Sequence, residues 1–165
     1  MSGLVLSPDQ MAALRSAAEA AYPEEACGLL VGRRLGNQFS VSRVVASPNR
    51  HADPRRSFEI DPATHFALLR QLRDQAVPPG QAAEEIIGHY HSHPDASPGP
   101  SPRDYEQAYD PDMIWVILSL RAGCCSTIGA WRIDPALAPP AAFLEVPIIS
   151  DGAKKTLLAK DQGGT

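Results

Sequence analysis

Three of the chain's five histidines stand at positions 89, 91 and 93. In an extended strand alternate side chains share a face, with about 7 Å between neighbours on that face. Imidazole is a favoured zinc ligand, and two from one strand can form one edge of a tetrahedral site. Paired histidines also occur on solvated strand faces, so the residues downstream decide what the pattern means. Residues 94–100 separate His93 from Ser101, and Asp104 follows three positions later. Pro94, Pro98, Pro100 and Pro102 stiffen this stretch, which can return an oxygen ligand to the two imidazoles. Asp104 then falls in the first turn of a helix opened by Ser101-Pro102. Two imidazoles and one carboxylate leave a fourth zinc position open to water, the mark of a catalytic site. Ser-x-x-Asp is also a helix-capping pattern, and both readings can hold together.

The elements that must position these residues are legible in outline. Leu4–Leu6 reads as a short strand. Ser7-Pro8-Asp9-Gln10 opens a helix with a capping box, Met11, Leu14, Ala18 and Tyr22 give its period, and Pro23 ends it. Cys27–Val31 is an apolar strand, and after the Gly36-Asn37 turn Phe39–Val45 pairs back as a hairpin. Residues 47–57 form a polar loop and Phe58–Ile60 a short extended piece. Asp61-Pro62 caps a second helix through Phe66, Leu69 and Leu72. Ile86–His93 is the histidine strand, followed by a rigid loop and a third helix running to about Tyr109. Met113–Leu120, Thr127–Ile133 and Phe143–Ile149 are further strands. The expected architecture is one α/β domain over residues 1–149: a mixed sheet of six to eight strands flanked by about three helices. Residues 150–165 read as a polar, mobile tail.

Other zinc folds can be tested on the same string. The metallo-β-lactamase pattern H-x-H-x-D-H is broken by Ala96, and no histidine follows His93. The P-C-x-x-C of zinc deaminases is absent. The complete pattern resembles the JAMM (MPN-plus) metallopeptidase family, whose signature is an upstream glutamate followed by H-x-H-x(7)-S-x(2)-D. His91, His93, Ser101 and Asp104 match it without a gap. Pro23-Glu24-Glu25-Ala26-Cys27-Gly28 is similar to the glutamate-bearing strand start of that family, and its E-x-C-G spacing selects Glu25 over Glu24.

The resemblance implies an MPN-type fold, with Zn2+ held by His91, His93 and Asp104. Glu25 would act as general base and then acid, and Ser101 as a hydrogen-bond donor to the oxyanion. It implies cleavage of peptide or isopeptide bonds after the C-terminal Gly-Gly of ubiquitin-like or sulfur-carrier proteins. His89 has no family role and reads as a structural or supporting residue. The competing reading is a non-catalytic MPN scaffold, but such scaffolds lose their ligands.

The bulk numbers agree. A net charge of −4 and a pI near 5.7 argue against a nucleic-acid partner, although Arg50, Arg55 and Arg56 could form a local basic patch. No apolar run is long enough to span a bilayer, and the N-terminus has no signal-peptide pattern. Cys27, Cys124 and Cys125 form no C-x-x-C pair. They read as three small buried residues in a reducing, cytoplasmic compartment. Gly163-Gly164 resembles a ubiquitin-like tail, and a flexible terminus explains it equally well.

Overall fold

The computed structural model describes residues 3–139 and 142–152. Among the described residues, eight strands are interspersed with three helices. They are β1 (Gly3–Leu6), α1 (Pro8–Ala21), β2 (Cys27–Leu35), β3 (Gln38–Ser47), α2 (Pro62–Asp74), β4 (Glu85–Pro94), α3 (Pro102–Glu106), β5 (Ile114–Arg121), β6 (Cys124–Ile133), β7 (Phe143–Glu145) and β8 (Ile148–Ser150). All eight strands form one mixed sheet in the order β7-β6-β5-β4-β2-β3-β1-β8. The α/β architecture and the three helices agree with the expectation from sequence.

The sheet curls. Val146 N–H donates to Ala130 O of β6, while Pro147 O accepts from Leu4 N–H of β1. Two consecutive residues thus join strands near opposite ends of the sheet, so those ends must approach each other. This corrects the single strand expected over Phe143–Ile149. Pro147 has no N–H to give to a ladder, and the segment divides there into β7 on one edge and β8 on the other. The third helix is also shorter than expected and stops at Glu106 rather than Tyr109. Pro111 disfavours helical backbone at Asp110, whose carboxylate accepts from Asp112 N–H in a turn instead.

Strand alternation sorts the core onto two faces. Leu30 on β2, Ile87 and Tyr90 on β4 and Val116 and Leu118 on β5 pack with Leu14 and Ala18 of α1. The opposite face carries Leu29 and Val31 against Leu68 of α2, and Cys27 with Phe58 and Trp115. The odd-numbered histidines of β4 lie on this second face. Gly28, the glycine of E-x-C-G, has no room for a Cβ because the Tyr90 ring and Val45 O occupy that space. The expectation of three buried cysteines holds for Cys27 alone, since Cys124 is exposed and Cys125 half-buried. Both follow the tight Ala122-Gly123 turn at the start of β6, where Cys124 faces solvent and Cys125 packs at the margin of the core.

Two pairings position the functional residues. β2 and β4 are antiparallel with Cys27 opposite His91, so the same register carried two residues further brings Glu25 level with His93. β4 and β5 are parallel, with Gly88 beside Ile114 and Pro94 beside Leu120. A parallel pair needs a crossover. The chain therefore leaves the end of β4 beyond His93 and travels back along the histidine face to re-enter at Ile114. The proline loop and α3 are that crossover.

Candidate metal centre

The crossover starts from a pinned loop. Asp95 has a positive φ of 52°, unusual for a residue with a side chain. Its carboxylate accepts from Ala122 N–H at 2.7 Å and from the Tyr22 hydroxyl at 2.6 Å. Ser119 Oγ donates to Ala96 O, and the His93 ring meets Ser97 O through Nδ1 at 2.9 Å. A carbonyl can only accept, so His93 Nδ1 carries a proton and Nε2 is the nitrogen turned toward Asp104.

Ser101 then caps α3. Its Oγ accepts from Asp104 N–H at 3.2 Å, and Asp104 Oδ2 accepts from Ser101 N–H at 2.6 Å. The capping box and the ligand reading thus hold together: the bond that starts the helix also aims the Asp104 carboxylate. Its Oδ1 lies 3.0 Å from His91 Nε2 and its Oδ2 3.3 Å from His93 Nε2. The two Nε2 atoms are 2.9 Å apart. Three buried ligand atoms, one each from His91, His93 and Asp104, lie within 4.8 Å of one another.

This donor set fits a divalent cation. Two imidazole nitrogens facing each other at this distance cannot both be protonated without repulsion. Burial pushes His91 toward its neutral, metal-binding form. Asp104 is pushed upward by burial, but the two imidazoles and Ser101 N–H outweigh that and hold it well below the usual carboxylate range. A carboxylate that stays ionised beside a neutral imidazole is what a cation site requires.

Glu25 is 7% exposed. Burial lifts its pKa to about 7, with the Asp104 carboxylate adding to the rise and His93 and Arg103 opposing it. A carboxyl poised near neutrality beside a cation site is suited to moving protons. The structure therefore gathers Glu25, His91, His93, Ser101 and Asp104 in one place, as the sequence pattern expects.

His89 shares their face but stands outside the cluster. Its ring lies 4.2 Å from that of Trp115 and 5.6 Å from that of Phe58, and burial pushes its pKa down to about 3. It helps floor an apolar groove of about 420 Å³, with Leu29, Phe58, Ile60, Gln107 and Trp115 among the walls.

Sequence reasoning missed three supports. Phe58 stacks on His91 at 4.3 Å between ring centroids. Ser92 Oγ accepts from Ala26 N–H at 2.7 Å, tying the segment after Glu25 to the strand between the two histidines. Asn49 donates to Glu25 O. Only Ser92 carried a local signal, its place inside H-S-H. Of the expected basic patch, Arg50 is paired with Asp61 and Arg56 lies near Asp53.

The family described as prokaryotic homologs of the JAB domain matches residues 7–134, well over half of the chain. The chain belongs to this family. The structure is similar to that of a protein from Desulfitobacterium hafniense, with a TM-score of 0.73 and 29% identity over 90% of this chain and 92% of that one. A protein from Salinibacter ruber gives 0.64 and 29% over 91% of both. Among curated proteins, the chain is 32% identical over 97 residues to the desampylase of Haloferax volcanii. It is 34% identical over 86 residues to the probable TtuB-protein conjugate cleaving protease of Thermus thermophilus. The alignments cover 59% and 52% of this chain, and 63% and 50% of those relatives, less than two thirds of either. Within the JAB-domain assignment, the centre reads as a metal site.

Proposed function

We propose that this JAB-domain protein is a zinc-dependent hydrolase that cleaves the peptide or isopeptide bond after the C-terminal Gly-Gly of a ubiquitin-like or sulfur-carrier protein. The observation that carries the reading is the convergence of His91, His93 and Asp104 beside a buried Glu25. One curated relative is named for cleaving protein conjugates and the other as a desampylase, which supports a conjugate of that class as substrate.

Zinc held by His91, His93 and Asp104 would supply Lewis acidity and bring the pKa of water toward neutrality. The protein's own residues do the rest. Glu25 takes the proton of the attacking water on a carboxylate oxygen and delivers it to the leaving nitrogen. Ser101 Oγ keeps its own O–H as a donor while accepting from Asp104 N–H, and that hydrogen serves the oxyanion. Ser97 O fixes the His93 tautomer. Phe58 covers the His91 ring and excludes water from that side. Three free thiols suit a reducing compartment, and no helix among the described residues is long and apolar enough to cross a membrane. We place the protein in the cytoplasm.

The test is mass spectrometry of a candidate carrier extended past its Gly-Gly, incubated with the zinc-loaded protein. The expected result is release of the extension with a new Gly-Gly terminus. A full zinc site with no such cleavage by any extended carrier rejects the substrate class.

A further inference from the structure

Asn49 lies just past β3, at a bridge with Ile60, and takes no part in the ligand set. Its side chain nevertheless makes five hydrogen bonds, all to backbone. The two Nδ2 hydrogens go to Ser57 O at 3.0 Å and Glu25 O at 3.1 Å, with Pro54 O at 3.5 Å sharing one of them. Oδ1 accepts from His51 N–H at 3.0 Å and Glu59 N–H at 3.1 Å. A loop has few regular partners for its backbone groups, and here one amide supplies several of them.

The bonds run to two segments that matter at the metal centre. Glu25 is held twice by the 48–59 loop, through its carbonyl by Asn49 and through its N–H by Pro54 O at 2.7 Å. On its other side, Ala26 N–H donates to Ser92 Oγ and Ser92 N–H to Ala26 O. The backbone of the base is thus clamped between Asn49 and the strand that carries both histidines. The second segment is 57–59, whose two outer residues both bind Asn49 and whose middle residue, Phe58, stacks on His91.

We propose that Asn49 is a positioning residue that sets the Glu25 carboxyl and the Phe58 ring against His91 and His93. This rests on the reading of Glu25 as the base. The amide is the side chain that suits this place, because it donates and accepts from one short stem. Aspartate keeps the acceptor but sets a second oxygen against three carbonyls. Glutamine is one methylene too long for the same reach.

The test compares Asn49→Asp, Asn49→Ala and the milder Asn49→Ser with the wild type in two measurements. In the first, zinc content stays full, kcat on an extended carrier falls about 10- to 100-fold and KM changes little, as expected for a misplaced base. In the Glu25→Gln background, the same substitutions cause no further loss of residual turnover. The second measurement is amide exchange by NMR on metal-free protein. The Glu25, His51 and Glu59 N–H groups exchange at least about 10-fold faster in the variants, while β5 keeps its protection.

Undiminished kcat in Asn49→Ala overturns the proposal. So does faster exchange at His51 and Glu59 with Glu25 unchanged, which makes Asn49 a loop staple only. Loss of protection throughout β5 in all three variants makes it a general stability residue and overturns the proposal too. If the zinc-loaded wild type hydrolyses no carrier, the proposed substrate class fails, and the exchange pattern alone judges whether Asn49 holds residue 25.

Discussion

Two carboxyls that both feel the His93 ring are shifted in opposite directions. Asp104 accepts from Ser101 N–H and faces both Nε2 atoms, so it stays ionised. Glu25 lacks such donors and is lifted to about 7 by burial. This separation supports the proposed roles, Asp104 as ligand and Glu25 as proton carrier. His91→Ala, His93→Ala and Asp104→Ala are each expected to abolish stoichiometric zinc, checked by metal analysis of purified protein. Glu25→Gln is expected to keep zinc and lose nearly all hydrolysis, because an amide of the same size cannot take the proton. The same variant carries a stability signature in metal-free protein. Because the folded pKa of Glu25 lies above its ordinary 4.5, its contribution is fully present below pH 4.5 and is lost as pH rises through 7. Wild type should therefore lose up to about 3 kcal/mol relative to Glu25→Gln over that window, read from denaturant unfolding at several pH values. A flat difference places Glu25 in water. The ligand triplet was legible in sequence because its members lie within fourteen positions of one another, 91 to 104, at spacings set by strand and helix geometry. Asn49 and Phe58 were not, because their contacts with residues 25 and 91 arise only from tertiary folding.

At the scale of elements, α3 is five residues long and has a single cap to start it. So short a helix is not stable by propensity, and the Ser101–Asp104 box is what makes it. Ser101→Ala removes a cap worth about 1 kcal/mol and, on the proposed mechanism, an oxyanion donor worth ~2.7–4 kcal/mol of barrier. The expected outcome is a kcat loss of about 100- to 1,000-fold with only a small fall in unfolding free energy. A kcat loss no larger than the stability loss would assign Ser101 to capping alone. The parallel β4–β5 pair sets a second condition. Gly88 has no room for a Cβ against Ile114 O, and Gly88→Ala is expected to open that pairing and weaken zinc binding from a distance, read by metal analysis and melting temperature. The elements themselves were legible from periodicity and caps, as at α1, where Ser7 and Gln10 form the expected box. The split of 143–150 across both sheet edges was not, because it depends on the curl of the whole sheet. The end of α3 at Glu106, closed by Gln107 N–H on Arg103 O and Asp104 O, had no such signal.

At the scale of the molecule, the metal centre lies where β2, β4, the crossover and the 48–59 loop meet, so filling it should tie these parts together. Zinc at about 1,000 times its dissociation constant adds about 4 kcal/mol of stability. For a chain of this length that is a rise of about 8–16 °C in melting temperature on loading, checked by calorimetry with and without chelator. The groove beside His89 is apolar and open, and Tyr109, 87% exposed, stands on its rim. His65 also lines it, and next to it on α2 Phe66 and Leu69 face solvent. On the proposed reading, a carrier's tail lies in this groove and its folded body rests on the exposed apolar residues of α2. An extended tail ending in Gly-Gly can pass close to the centre because it has no Cβ to collide there. The tail alone buries little surface, so most of the affinity must come from the body. Cleavage is therefore expected for a folded carrier, with a kcat/KM at least about 10-fold above that of its free C-terminal peptide. Gly→Ala at either terminal glycine should abolish cleavage of both. Phe66→Ser together with Leu69→Ser should raise KM for the folded carrier and leave the peptide unchanged, since those residues touch only the body. Equal turnover of carrier and peptide would make this a general peptidase that reads the tail alone, and an equal effect of the α2 substitutions on both would move the docking surface elsewhere.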